Sequence, residues 1–131
     1  MYGCTIRIVT KTEDGDSVFE ARGVFLRQID GFRVRYHDGG DEVDLCLAGG
    51  VLTMDRRGEV GLSAVFEEGR DTQMITRLGD CEGRIPLKTS RLQFLDLHGD
   101  FSVRLTYELR FEQDFSRFQL DIFIADLEEI S

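Results

Sequence analysis

The residues best suited to chemistry are few and lie far apart in the chain. The sequence contains three cysteines and two histidines, and no pair of them has the spacing of a metal or redox motif. Glycine-rich phosphate-binding motifs are absent. Ser63 lies in an alternating stretch that indicates a strand, whereas a hydrolase nucleophile needs a sharp strand-to-helix turn. We therefore predict no catalytic residue, no bound metal and no cofactor, which favours a protein that is not an enzyme.

Two charged clusters have the chemistry to bind ions. His37 is surrounded by carboxylates (Asp38, Asp41, Glu42 and Asp44), which are natural ligands of hard cations, but their spacing matches no calcium loop. We interpret this stretch as a solvated acidic hairpin. The adjacent Arg56 and Arg57 offer planar guanidinium groups suited to carboxylate or phosphate. They are candidate anion contacts at a barrel rim, and the alternative is a solvated turn.

A third group consists of polar residues that continue otherwise apolar strand faces. These are Tyr36, Thr76 and Tyr107. Small-molecule sites are mostly apolar with a few aimed polar groups, which is the pattern seen here. If these residues hold a ligand, the apolar side chains on the same faces line its site; they are Phe32, Phe66, Met74 and Phe111. The alternative is that each tyrosine ring simply packs in the core and bonds a nearby acceptor.

The elements that position these residues are strands, because alternation with a period of two runs through most of the chain. In residues 103–112 every second residue is apolar, and charged or polar residues stand between them. Residues 118–124 repeat the pattern after a turn predicted over Gln113–Arg117. The longer segments Val18–Ile29 and Ile85–Leu97 are mixed on both faces, as curved or bulged strands are. We count about ten strand segments, separated by Asp-Gly, Gly-Gly and similar turns.

Ten strands joined by short turns predict an all-β fold, a closed antiparallel up-and-down barrel of about 8–10 strands. Closure removes the exposed sheet edges. A sandwich is the alternative, but it usually needs longer crossovers. A barrel of this size is either filled by side chains or holds one small ligand, and the pattern leaves both open.

Length and charge narrow the class of protein further. The 131 residues suit one domain, residues 1–131, without a linker. A net charge of −9 disfavours nucleic acid and anionic membranes as partners. No apolar run approaches the length of a membrane span. Three dispersed cysteines favour free thiols in a reducing cytoplasm.

One set of residues resembles a known family. Arg57-Gly58-Glu59-Val60 is followed by Phe66, Gly69, Thr72 and Gly83, then by Pro86-Leu87-Lys88-Thr89-Ser90, Gly99 and the Tyr107 strand. From Ile6 to about Ile124 the chain resembles the YwiB-like family of small bacterial proteins. The resemblance implies a calycin-like barrel, similar to lipocalins and fatty-acid-binding proteins, and brings no catalytic residues. The chain has no tryptophan and so lacks the Gly-x-Trp signature of true lipocalins.

Two functional hypotheses follow. The first is a non-enzymatic binder of a small, largely apolar ligand, oriented by Tyr36 and Tyr107. The second is a filled barrel that serves as a protein-interaction or self-association module, for example as a homodimer. Its contacts would come from its acidic exterior or from apolar residues predicted on the outer face, namely Phe19, Phe25 and Phe123.

Overall fold

The computed structural model describes residues 1–130 and contains ten β-strands joined by short turns. The strands are β1 (Tyr2–Thr12), β2 (Gly15–Gln28), β3 (Gly31–Asp38), β4 (Asp41–Ala48), β5 (Val51–Arg57), β6 (Val60–Glu67), β7 (Asp71–Leu78), β8 (Cys81–Leu97), β9 (Asp100–Phe111) and β10 (Asp114–Glu129). Each strand pairs antiparallel with the next in sequence, and β1 also pairs with β10, which closes the barrel. The predicted all-β class and closed antiparallel barrel are confirmed.

The middle of the barrel is filled by apolar side chains. Strand alternation sends Val103 and Leu105 of β9 inward, and both have no exposed surface. Leu45 of β4 has none either, and Ile122 of β10 is 1% exposed. Burial of this size is the main driving force for closing such a sheet. The interior at mid-height is therefore a packed core.

One turn lies elsewhere than predicted. The β9–β10 turn occupies residues 112–113, where Glu112 adopts a positive φ of 47°, and β10 already begins at Asp114. Residues 113–117 contain only one large apolar side chain, Phe115, which is 55% exposed. This end of the hairpin has no buried face, so alternation gave no signal there.

The antiparallel order places the turns at two ends of the barrel. We call the end with the β1–β2, β3–β4, β5–β6, β7–β8 and β9–β10 turns the open end, and the other the closed end. At the closed end β8 pairs with β7 only as far as Lys88, but with β9 as far as Leu97. A register shift between Thr89 and Arg91 confirms the irregularity predicted for this strand and allows it to bend.

Aromatic rings cover the closed end. Phe94 of β8 stacks on Phe101 of β9 with ring centroids 5.8 Å apart, and it also lies 5.8 Å from the ring of Phe32 on β3. Phe25 of β2 stacks on Phe101 at 5.0 Å. The guanidinium of Arg27 lies over the Phe101 ring at 5.1 Å. The protruding β8–β9 hairpin and these rings together plug this end of the barrel.

Candidate functional site

At the open end several inward-facing side chains are only half-buried. They include Phe19, Leu62, Thr76, Ile85 and Phe118. Leu62 and Thr76 are directly opposite each other across the β6–β7 pair. Most of these side chains are apolar, so this end presents an apolar surface with a few polar atoms, which is the usual composition of a ligand site.

Tyr36 stands on the inner wall near the β3–β4 turn. It is 5% exposed, and its ring packs against Phe19 at 5.5 Å. Burial raises the pKa of Tyr36 to about 12, the nearby Asp38 charge adds to the rise, and Arg56 opposes it. The hydroxyl therefore keeps its proton at neutral pH and is available as a donor.

Arg56 lies at the rim beside this tyrosine. It is opposite the buried Val43 in the β4–β5 pair, so its side chain starts on the inner face. Its Nε donates to Asp41 at 2.8 Å, and its terminal nitrogens donate to Asp38 at 3.1 Å. The barrel thus places a charged, hydrogen-bonded group next to the Tyr36 ring.

The structure separates the two arginines that are adjacent in sequence. Arg57 projects from the outer face and binds Glu42 at 2.9 Å. Each of the two guanidinium groups already has a carboxylate partner, and an incoming anion would have to compete with it. The same contacts neutralise much of the acidic hairpin that the sequence offered as a cation site. Within residues 1–130 no group of three or more His, Cys, Asp or Glu side chains is arranged to hold a metal ion.

Tyr107 lies deeper, at the floor of the open end. It is 7% exposed, and its ring lies between Phe66 at 4.9 Å and Phe118 at 5.2 Å. Burial raises the pKa of Tyr107 to about 12. Neither tyrosine hydroxyl is a fully buried atom without a hydrogen-bond partner in residues 1–130.

Thr89 adds a third hydroxyl to the inner wall. It is directly opposite Tyr107 in the β8–β9 pair and has no exposed surface. Its Oγ1 is the buried side-chain N or O atom in residues 1–130 that lacks a hydrogen-bond partner. Burying a hydroxyl without a partner costs about 1–3 kcal/mol, so this placement calls for an explanation.

The remaining residues predicted to line the ligand site lie in different parts of the barrel. Met74 is buried at 7% exposure, and the Thr76 hydroxyl sits against Gly83, where an added Cβ would lie 2.8 Å away. Phe32 belongs to the aromatic cover of the closed end. Phe111 is 45% exposed at the last position of β9. The structure therefore brings Tyr36, Thr76, Tyr107 and Arg56 to the open end. Phe66 contacts Tyr107, whereas Phe32 lies at the closed end.

The outer-face prediction was partly wrong. Phe25 has no exposed surface and belongs to the core, and Phe19 packs inward on Tyr36. Val18 and Val24 lie on the other face of β2 and are 57% and 39% exposed. Odd and even positions of β2 are almost equally apolar, so pattern alone could not choose the face.

Phe123, in contrast, does lie on the outer face. It is 39% exposed and lines an outer groove of about 150 Å³ together with Leu95. A second groove, of about 250 Å³, lies where β8 pairs with both β7 and β9. Pro86, Lys88 and Arg110 line it.

Sequence reasoning missed Thr89 as a candidate. In the sequence, Lys88-Thr89-Ser90 contributes only to the family resemblance. The available signal was the alternation of Leu87 and Thr89, which puts a hydroxyl on the same face as a core leucine.

Comparison with known proteins gives the family. The model of the domain of unknown function DUF1934 matches residues 4–122. The chain belongs to this family. The crystal structure of the ywiB protein from Bacillus subtilis is similar, with a TM-score of 0.77 and 17% sequence identity over 94% of this chain and 90% of that one. No curated protein matches significantly.

The predicted YwiB-like resemblance is thereby confirmed, and so is the barrel that it implied. At this identity the structural similarity concerns the fold alone. In the described part of the chain no helix is long and apolar enough to cross a membrane.

Proposed function

We propose that this DUF1934 protein is a non-enzymatic binder of a small, largely apolar molecule, held at the open end of the barrel. The observation that carries the proposal is the buried Thr89 hydroxyl on the inner wall, which lacks a hydrogen-bond partner within residues 1–130 and lies directly opposite Tyr107. A buried polar group without a partner is costly. A bound molecule with an oxygen or nitrogen atom offsets that cost.

The neighbouring side chains indicate the chemistry of the ligand. Phe19, Leu62 and Phe118 provide apolar and aromatic contact at the open end, and this favours a ring or a short branched chain. The Tyr36 hydroxyl near the rim favours a polar head that accepts a hydrogen bond. Because the core at mid-height is filled, the ligand is expected to rest above Tyr107 and not to run through the barrel.

The expected location is the cytoplasm. Cys4, Cys46 and Cys81 are free thiols, which supports a reducing compartment.

The test is native mass spectrometry of freshly purified protein, compared with its denatured mass. We expect an extra mass that is lost on denaturation. In Tyr107→Phe and Tyr36→Phe the fraction carrying that mass should fall at least fivefold, since each variant removes one hydroxyl and leaves the ring.

Tyr2→Phe is the matched control. Tyr2 lies near Phe25 at the closed end, with ring centroids 6.4 Å apart, so its hydroxyl is remote from the site and occupancy should not change. An absent extra mass, or equal occupancy in all three variants, would remove the open end as a binding site.

Self-association is a second candidate function. It is favoured by the filled middle of the barrel and by the outer groove that Leu95 and Phe123 line.

A further inference from the structure

The distal half of β8 is an exposed sheet edge. Residues 91–97 pair with β9 on one side. On the other side β7 begins only at Asp71, opposite Lys88, so in the described chain no strand continues the sheet past that point. We call residues 91–97 of β8 the distal edge.

The backbone groups that face outward from this edge can be assigned. The Leu92 amide donates to the Glu68 carboxylate at 3.3 Å, and Glu68 belongs to the β6–β7 turn. Successive residues of a strand alternate the direction of their backbone groups. The amides and carbonyls of Phe94 and Asp96 therefore point the same way as those of Leu92, toward solvent.

This edge lacks most of the usual protection. Natural edges carry lysine or proline, or are covered by a loop. Residues 91–97 contain neither residue type. Phe94 is 40% exposed, Leu95 57% and Leu97 52%. An edge that combines open backbone groups with apolar side chains is a template for another strand.

We propose that the occupant is a second copy of this chain, whose distal edge pairs antiparallel with the first about a two-fold axis at Leu95. In this register Leu95 faces its own copy, Phe94 faces Asp96, and Gln93 faces Leu97. No like charges are opposed. The Phe94–Asp96 pairs supply about four backbone hydrogen bonds between the copies.

The alternative register, centred on Phe94, is less favourable. It would place Asp96 of one copy opposite Leu92 of the other, where the Glu68 carboxylate already occupies the Leu92 amide. Two carboxylates would then crowd each other. The Leu95 register leaves the Glu68 contact intact.

The outer groove continues this surface. Gln93 and Leu95 of the distal edge line it together with Phe123. In the proposed register Leu97 of the second copy lies opposite Gln93, and it therefore extends the apolar surface of the groove. Each copy carries a charge of −9, so association should strengthen with salt because repulsion is screened.

Sedimentation equilibrium of the full chain, from micromolar to millimolar protein, tests the proposal. We expect a reversible dimer. Asp96→Pro removes one outward amide without breaking the β9 pairing, and it should weaken dimerisation at least tenfold. Asp96→Ala removes the same carboxylate but keeps the amide, and it should dimerise as well as the wild type or better.

If the proline variant folds poorly, amide hydrogen exchange of the wild-type protein provides a second test. In the wild type the Phe94 and Asp96 amides should become protected as the concentration rises, and the Leu78 region should not change. A monomer throughout the range overturns the proposal. So does a dimer in which these two amides exchange freely, or one that Asp96→Pro leaves intact.

Discussion

Thr89 and Tyr107 face each other across the β8–β9 pair, both on the inner wall, and the buried Thr89 hydroxyl bonds to no residue within 1–130. The Thr89 side chain has no exposed surface, and the Tyr107 ring packs between those of Phe66 and Phe118. A strand position that buries a polar atom without a partner weakens the fold. The pair is therefore a feature that stability alone does not explain.

Replacing Thr89 with valine should stabilise the ligand-free protein by about 1 kcal/mol, because the change keeps the side-chain shape and removes the unpartnered hydroxyl. Urea unfolding measures the difference. The control is Thr72→Val, since the Thr72 hydroxyl donates to the Val65 carbonyl at 2.6 Å and its loss should destabilise the protein by about 1 kcal/mol. Equal effects of the two changes would show that Thr89 has a partner after all.

The two buried tyrosines should make the protein less stable at high pH. The pKa of each is raised to about 12 from an ordinary value of 10.0, so the folded state holds protons that the unfolded state releases. Stability is complete below pH 10.0 and falls as the pH rises through about 12. Unfolding free energies across this range should fall less steeply in Tyr36→Phe and Tyr107→Phe, and a slope equal to that of the wild type would contradict the burial effect.

Asp44 should support the fold at neutral pH and lose that role in acid. Arg33 donates to it at 2.6 Å and Arg35 at 3.3 Å, and the hydrogen bond with Arg33, followed by its charge, lowers the pKa of Asp44 below the ordinary 3.8. The ionised form is therefore stabilising above that value, and the contribution disappears as the pH falls through the lowered pKa.

We expect Asp44→Asn to cost about 1–2 kcal/mol at neutral pH, since it weakens charge-assisted hydrogen bonds. Urea midpoints of variant and wild type should converge as the solution is acidified. Asp14→Asn removes an equal charge from an exposed turn position and should leave the midpoint unchanged. A gap that persists in strong acid would mean that Asp44 acts through packing.

Gly31 should tolerate no side chain. A Cβ at this position would overlap the backbone carbonyl oxygen of Leu47 on β4, and the backbone cannot move aside without disturbing the β3–β4 pair. Gly31→Ala should cost about 2–3 kcal/mol, as overpacking does. At Gly40 an added Cβ meets nothing within 4 Å, so Gly40→Ala should change the thermal midpoint little, and equal losses at both positions would contradict the steric explanation.

Several features of this protein were predictable from local pattern. Alternation of apolar and polar residues predicted β9 and the second half of β10, because a strand that buries one face shows a period of two. Glycines predicted most turns, because tight hairpins need positive φ values. The acidic charge and the absence of catalytic motifs needed no structure at all.

The tertiary structure decided where the two faces of mixed strands point. Phe19 and Phe25 were assigned outward, because β2 has apolar residues on both faces, and only pairing with β1 and β3 turns them inward. Arg56 and Arg57 are adjacent in sequence, yet the register with β4 sends one to the rim of the open end and the other outside. Register depends on partners far away in the chain.

The sequence also could not predict which residues lie at which end of the barrel. Phe32 and Tyr36 continue one strand face, and pattern alone grouped them in one site. In the barrel the first lies under the aromatic cover of the closed end and the second at the open end. By itself the sequence determined that ten strands form and which residues are apolar, because these depend on neighbours along the chain. The tertiary structure decided which side chains meet, which hydroxyls lack partners and which stretch of β8 remains an edge. These features depend on how far each strand overlaps the next, and that overlap exists only once the barrel has closed.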